Sequence, residues 1–405
     1  MLWPEVEIRS LQRNALRIMR TINSEAILFI LPVPFFFSQA AGVGGHVAHV
    51  YGLLKAFARL GYELNIIAEE SHPTIKNDRI KLFILPIGSS SISILSRQFW
   101  SWKLIQKVRQ IVKQNRYQFC YIRYSVGFTP WLPILKRILI NIPLVVEVNS
   151  FGTQNYNWLK FSDLWALHSA DIIICISETL RKLMLAKISQ KLDSKIIVLP
   201  NGVDIGKFEE IEPDFSFSKQ KENIKLGYAG ILKPDYGLDI LLSAYSLVRK
   251  TRKDVSLNFF GDGPYYKSLK ARADSMDGVT LHGGIPFEKM PGVLKSLDIL
   301  CHTTAHKNAF QSPIKLYEYM AAGKPIVAAE TPLVRELLGD NQRGLLYPIG
   351  DSAMLCKQIL RLIANPDLGQ VLAARAFKEV KENHSWQSRI SKLLDELKQR
   401  GLIEN

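Results

Sequence analysis

Short apolar runs alternate with helix-patterned segments along most of this chain, and that rhythm restricts the fold more than any other feature. Strands are expected at 26–31, 64–68, 81–85, 119–122, 144–148, 171–175 and 196–199. Between most of them lie apolar residues at helical spacing, as in Val47, Val50, Leu53, Leu54 and Phe57, closed by Gly61. Strands that alternate with helices form a parallel sheet covered on both faces. The polar, strand-free stretch Ile205 to Asn223 then reads as a linker, and the rhythm restarts with strands at 225–229, 256–260, 279–282, 299–302 and 325–329. At 405 residues two cores are expected. The expectation is therefore an α/β chain of two doubly wound, Rossmann-like domains, at 25–204 and 224–382, with a basic extension at 1–24, a linker at 205–223 and a closing helix at 383–405.

A content of 47% hydrophobic and 22% charged residues excludes a disordered or fibrous chain. The net charge of +15 is uneven: residues 1–200 hold 24 Lys and Arg against 12 Asp and Glu, so they carry +12 of it. Such a surface suits a membrane leaflet, a lipid-linked phosphate or nucleic acid, and equally a solvated basic face. Cys120, Cys175, Cys301 and Cys356 lie far apart with no metal-ligand spacing and read as buried free thiols. The longest apolar stretch, Ala26 to Phe37, is interrupted by Pro32 and Pro34 and is too short to cross a bilayer. With no signal-peptide cleavage context, the expected location is cytoplasmic.

In open α/β sheets, ligands bind beyond the carboxyl ends of the strands, where glycine turns and helix starts present backbone N–H groups to phosphate. Gly42-Val43-Gly44-Gly45-His46 lies between the first strand and first helix, although an ordinary turn would look the same. Gly230-Ile231-Leu232-Lys233-Pro234 and Gly261-Asp262-Gly263-Pro264 are glycine turns at two strand ends of the second half. The segment Ser312-Pro313-Ile314-Lys315-Leu316-Tyr317-Glu318, running on to Gly323, combines a proline-started helix with Lys315 and Glu318 three apart. That spacing allows them one helix face, the Lys for a phosphate and the Glu for two ribose hydroxyls; a capped surface helix is the plain alternative.

Taken in order, these elements resemble a family 4 glycosyltransferase of the GT-B fold. Glu147-Val148-Asn149, Ile174-Cys175-Ile176-Ser177, Pro200-Asn201-Gly202-Val203-Asp204 and Gly344-Leu345-Leu346-Tyr347-Pro348 add to the match, which runs through nearly the whole chain from about residue 26. The resemblance implies a nucleotide sugar, UDP- or GDP-linked, held by the second domain. It further implies a glycan or lipid-linked acceptor on the first, and transfer with retention without metal or other cofactor. It assigns Glu318 to the ribose hydroxyls and the backbone from Ser312 to Lys315, through Pro313 and Ile314, to the diphosphate and sugar. Gly44 and Gly45 would approach the diphosphate from the opposite domain. Lys315, Glu318 and Asn149 form the implied catalytic set, with Asn201, Gly230, Lys233, Gly261, Gly263, Pro264, Gly283 and Ile285 completing the donor site. The sequence departs from the family at Phe310, where many members carry a first Glu, at Ile231 and Tyr236, which replace an Arg and a Lys, and in lacking a His near Asn149. Either Lys315 and Lys233 supply the missing charge, in a subgroup marked by the Ser-Pro-Ile-Lys helix start, or the chain binds without catalysing.

His302 and His306 flank a strand end but lack a third ligand, so no metal site is expected. Phe99, Trp100 and Trp102, with the basic helix that follows to Arg116, suit a peripheral membrane contact or, alternatively, packing onto the sheet. No nucleic-acid-binding motif is present. Trp386 opens a final amphipathic helix expected to return to the first domain. Two other functions fit the same architecture, a non-catalytic sugar-nucleotide or lipid-binding partner of a polysaccharide assembly complex and a sugar-nucleotide epimerase; the 312–323 segment argues against the epimerase.

Overall fold

The computed structural model describes residues 26–32, 45–69, 77–86, 94–216, 223–286, 288–305 and 314–404, with backbone alone at 45–47 and 94. The 1–24 extension, Gly42 to Gly44, His306, Phe310, Ser312 and Pro313 lie outside them.

The first sheet joins seven parallel strands in the order β3-β2-β1-β4-β5-β6-β7. They are β1 (Ala26–Ile30), β2 (Glu63–Ala68), β3 (Ile80–Ile84), β4 (Phe119–Arg123), β5 (Leu144–Val148), β6 (Ile172–Cys175) and β7 (Ile196–Val198). The strands are apolar at nearly every position because both faces are covered, and the two-residue period deals alternate side chains to two cores. Leu28, Ile30, Val146, Val148 and Ile173 meet α2 (Ile94–Gln114), α3 (Leu132–Ile138), α4 (Lys160–His168) and α5 (Glu178–Lys187). Ile27, Phe29, Val145, Ile172 and Ile174 meet α1 (Gly45–Arg59).

The expected linker is partly structured. Ile205 and Phe208 stand three apart on α6 (Ile205–Glu210) and bury themselves in the core of the second domain. Lys295 Nζ donates to Phe208 O and Ile211 O at 3.0 and 2.7 Å. A linker running 205–223 is thus corrected at its start: the apolar pair at helical spacing pulls the first turns into the domain that follows.

The second sheet has the order β10-β9-β8-β11-β12-β13. Its strands are β8 (Ile224–Ala229), β9 (Val255–Phe260), β10 (Val279–Leu281), β11 (Ile299–His302), β12 (Ile326–Ala329) and β13 (Leu345–Tyr347). The last was not among the expected strands, since three residues carry little periodicity. One face is covered by α7 (Leu238–Thr251), α8 (Tyr266–Ala273) and α12 (Ser352–Ala364), the other by α9 (Met290–Lys295), α10 (Ile314–Ala321), α11 (Pro332–Leu338) and α13 (Pro366–Asn383).

After α13 the chain crosses back. Val203 N donates to His384 O at 2.9 Å where the two crossovers run side by side. Then α14 (Trp386–Gln399) places Trp386, Ile390, Leu393 and Leu397 in the first-domain core beside α1. Gly52 and Gly202 make room for the Trp386 indole: a Cβ on Gly52 would stand 2.2 Å from it and one on Gly202 2.9 Å. All four cysteines are free and buried. No described helix is long and apolar enough to cross a membrane.

Candidate active site

At the carboxyl edge of the second sheet four loops close on one another. Gly230 N donates to Phe260 O at 2.9 Å, Leu232 N to Asp262 O at 2.9 Å and Gly261 N to Gly283 O at 2.7 Å, while Ala305 N donates to Asp235 O at 2.8 Å. This close approach requires glycine. At Gly261, φ is +142° and a Cβ would lie 1.9 Å from Gly230 O; at Gly263, φ is +156° and a Cβ would lie 2.4 Å from Leu232 O. The structure thereby joins Gly230, Gly261, Gly263 and Gly283 in one rim. Lys233 and Pro264 stand exposed on it, and Ile285 packs beside Met290 against the α9–α10 core.

Helix α10 is fixed to this rim by Tyr319, whose hydroxyl accepts from Ala229 N at 2.8 Å. Lys315, one turn earlier, is drawn to the same side. Its Nζ donates to Tyr228 Oη at 2.6 Å and lies 4.3 and 4.4 Å from the ring centres of Tyr228 and Tyr236. It also stands 3.0 Å from where a Gly230 Cβ would be. Glu318 turns instead with Ile314 into a cavity between the domains, whose walls include Tyr51, Gly202, Asp204, Lys207, Met290 and Trp386. Lys315 and Glu318, three apart on α10, stay close enough for each to act on the other's charge, while Glu318 also lines the cavity.

Neither charge on α10 is satisfied in the ordinary way. Burial pushes Lys315 down to about 7, against the pull of Glu318. Burial likewise raises Glu318 to about 7, although Lys315 and Lys207 oppose it. His302, on β11, is also buried and lowered to about 3 by burial and by Lys315. It is therefore neutral near physiological pH.

Across the cleft, α1 starts at Gly45 and comes within 8 Å of α10. Lys55 and Arg59 on α1 bond the Asp204 carboxylate at 2.6 and 3.1 Å, tying this helix to the crossover. Asn149 does not reach the cavity walls. Its amide donates to Glu147 Oε1 at 2.9 Å, at the edge of a buried network. Glu147 is fully buried, with His49 Nε2 at 2.7 Å, Arg389 at 3.3 Å, Arg123 at 3.9 Å and the Tyr121 hydroxyl bonded to it. Arg389 also donates from Nε to Pro200 O at 2.9 Å. Burial works against the Glu147 charge, but His49 and Arg389 hold it well below the usual carboxylate range. His49 is itself lowered to about 4 by burial and remains neutral. Asn201, buried at the crossover, presents an Oδ1 with no partner among the described residues.

Sequence reasoning missed Tyr228, Lys207, His49 and Arg389. Lys207 is three residues past Asp204 on α6, a spacing that would have drawn attention had a helix been expected there. Arg389 stands three residues after Trp386 on an amphipathic helix, and no local signal distinguishes it from a surface Arg.

Two parallel-sheet domains closing on a cleft at their strand ends define a GT-B enzyme, and the chain is a hexosyl glycosyltransferase. Residues 43–207 match the family model for Glycosyltransferase Family 4 and residues 223–365 that for Glycosyl transferases group 1. The chain belongs to the family 4 glycosyltransferases. It is similar to an uncharacterized glycosyltransferase of Methanocaldococcus jannaschii, 26% identical, the alignment covering 86% of this chain and 93% of that one. It is also similar to the phosphatidyl-myo-inositol mannosyltransferase of Mycolicibacterium smegmatis, 21% identical over 87% of this chain and 89% of that one. Among solved structures, Anabaena HepE in complex with UDP and glucose shares the fold, with a TM-score of 0.72, 18% identity and coverage of 92% of this chain and 99% of that one.

Proposed function

We propose that the enzyme moves a hexosyl group from a UDP- or GDP-linked donor to a lipid-linked glycan or glycolipid acceptor, with retention at the anomeric carbon. In this reading it works peripherally at the cytoplasmic face of a membrane, in cell-surface polysaccharide or glycolipid synthesis. The observation that carries the proposal is the pair of charges on α10, Glu318 in the interdomain cavity and Lys315 at the glycine rim. Glu318 accepts the two ribose hydroxyls. Lys315 and the backbone from Ser312 to Ile314 meet the diphosphate, with Gly230, Gly261, Gly263 and Gly283 leaving space at the rim, and Gly44 and Gly45 contribute from the first domain, as the family resemblance implies. Lys315 emerges where Tyr236 and Ile231 replace the family's basic residues, and so restores a cation to that loop.

Departure of a nucleoside diphosphate needs positive charge and oriented N–H groups more than a protein nucleophile. The bond from the anomeric carbon to the phosphate oxygen breaks, and a bond to the acceptor oxygen forms on the same face. The acceptor's proton passes to the leaving phosphate oxygen, and in this reading Lys315 and backbone N–H groups take the place of a metal in neutralising the diphosphate. The homologous mannosyltransferase, named for phosphatidyl-myo-inositol, supports a lipid acceptor. Incubation of the purified enzyme with a panel of nucleotide sugars and membrane extract should release nucleoside diphosphate from one donor, and Glu318→Ala should abolish the release. Binding without release from every donor, indifferent to Glu318→Ala, would overturn the proposal.

A further inference from the structure

Helices α2 and α4 both pack against the turn Val126–Trp131 on the outer layer of the first domain, and each turns an aromatic stripe to solvent. On α2 the stripe is Leu95, Phe99 and Trp102, spaced four and three apart; Trp158, Phe161 and Trp165, spaced three and four apart, run along α4 and the turn before it. Leu95 is 81% exposed, Phe161 82% and Trp158 77%, values far outside those of residues merely grazing a core. Trp100, one position from Phe99, shows the contrast: it is buried, and its indole donates to Leu85 O at 2.6 Å. The turn Val126–Trp131 joins the stripes, since Gln98 on α2 donates to Gly127 O at 3.2 Å and Thr129 shares a 2.7 Å hydrogen bond with Ser162 on α4.

The charge on this layer has one sign. Residues 94–168 contain ten Lys and Arg, of which only Arg123 is buried. Their two carboxylates, Glu147 and Asp163, are both fully buried, so this stretch itself offers cations and no exposed anion, although Lys136 pairs with Asp171 just beyond it at 2.5 Å. Lys103 Nζ sits 4.7 Å over the Phe99 ring, and Phe99 stacks on Trp102 at 5.7 Å, which holds the stripe in place while keeping the ammonium at its edge. Protein surfaces carry both signs of charge, whereas the face of an anionic bilayer carries one and takes Trp, Phe and Tyr at the headgroup level.

We infer that the α2–α4 layer is the surface by which this enzyme docks on an anionic lipid bilayer, its two aromatic stripes entering the interface and Lys103, Arg109 and Lys160 meeting the headgroups. The biological sense of this docking rests on the proposed lipid-borne acceptor; its physical test does not. The full chain should float with vesicles of phosphatidylcholine mixed with an equal amount of phosphatidylglycerol and not with phosphatidylcholine alone. Combined Trp158→Ser, Phe161→Ser and Trp165→Ser should reduce that binding by about tenfold or more. In a separate variant, Lys103→Gln, Arg109→Gln and Lys160→Gln should each contribute about a fivefold loss. Because these side chains lie outside the core, both variants should keep the wild-type melting curve and nucleoside diphosphate affinity. Flotation independent of lipid charge, flotation unchanged in both variants, or capture by RNA in place of vesicles would overturn the inference. Vesicle binding by a wild-type enzyme that releases nucleoside diphosphate from no donor would leave the surface standing and sink the transfer reaction instead.

Discussion

A fully buried charge cluster in the first domain and a half-buried pair on α10 of the second are built differently. In the first domain Glu147 is met by His49, Arg389, Arg123, Tyr121 and Asn149, so every lone pair has a neighbour within the protein. On α10 of the second domain, Lys315 has a tyrosine hydroxyl and two aromatic faces, while Glu318 looks into a cavity. A buried charge is costly unless paired and hydrogen-bonded. The first group meets that condition in the folded protein and acts as scaffold, fastening the returning helix α14 to the end of β5. In the second, Lys315 and Glu318 attract each other, yet burial still shifts both towards their neutral forms, as the proposed donor-binding role would use.

If that distinction holds, removing one partner on each side should have opposite signatures. Arg389→Met leaves Glu147 with a buried, under-compensated charge and should destabilise the protein by about 3–5 kcal/mol, read in a denaturant or thermal melt, with donor affinity in the surviving folded fraction little changed. Unchanged stability would show that the network is not the lock between α14 and the first domain. Glu318→Ala should do the reverse. Losing two charge-assisted bonds of about 1.5–3 kcal/mol each should weaken donor binding about 100-fold or more, measured by calorimetry, while melting stays level or rises. A large fall in stability in this variant would place Glu318 among the scaffold residues.

The contrast explains what could and could not be read in the sequence. Both sheets were legible because parallel strands buried on two faces are apolar runs, and strands such as Leu144–Val148 have no other reading. The loops at Gly230 and Gly261 were legible as turns, but their mutual hydrogen bonds follow from strand order, which no local pattern carries. The α10 pair was visible because its members stand three apart. The Glu147 network was not, since its charges come from α1, β4, β5 and α14, and contacts such as Arg389 to Glu147 span 242 residues. The same limit explains Trp100: one turn of α2 holds both an outward and an inward aromatic, and only packing tells them apart. Phe310, Ser312 and Pro313 remain outside the described residues, so the start of the α10 segment rests on the family resemblance.

Lys315→Ala sharpens the comparison further. Nucleoside diphosphate affinity should fall by about 1–3 kcal/mol, the value of a charge-assisted hydrogen bond, while the apo protein melts close to wild type, since burial of the ammonium opposes what Glu318, Tyr228 and Tyr236 return. Equal calorimetric affinity in variant and wild type would remove Lys315 from the diphosphate site and return the role to Lys233 or to backbone alone.

The smallest effect is the most diagnostic, because pH addresses the two groups separately. Lys315 is lowered from 10.5 to about 7, so the folded protein releases this proton before the unfolded chain does; its contribution to stability rises with pH from about 7 to about 10.5. Glu318 is raised from 4.5 to about 7, so the folded protein holds its proton longer, and its contribution falls as pH rises from about 4.5 to about 7. By themselves they place a shallow stability minimum near neutrality. The Glu147 group acts in the opposite sense below neutrality: His49, lowered from 6.5 to about 4, adds stability that rises with pH across that interval and offsets the Glu318 limb, so the rise above about pH 7 is the part that belongs to α10 alone. A bound diphosphate favours the protonated Lys315, so affinity should be highest below about pH 7 and fall above it by up to about tenfold per unit. Ionisation of Glu318 strengthens its bonds to the ribose hydroxyls of a nucleoside diphosphate and so acts in the opposite direction, and Glu318→Gln isolates the Lys315 component. Melts should show stability rising above about pH 7 in wild type and diphosphate titrations the fall in affinity, both persisting in Glu318→Gln and vanishing in Lys315→Met. A Lys315→Met profile parallel to wild type would mean that the charge on α10 is no more poised for a ligand than the one locked beneath α14.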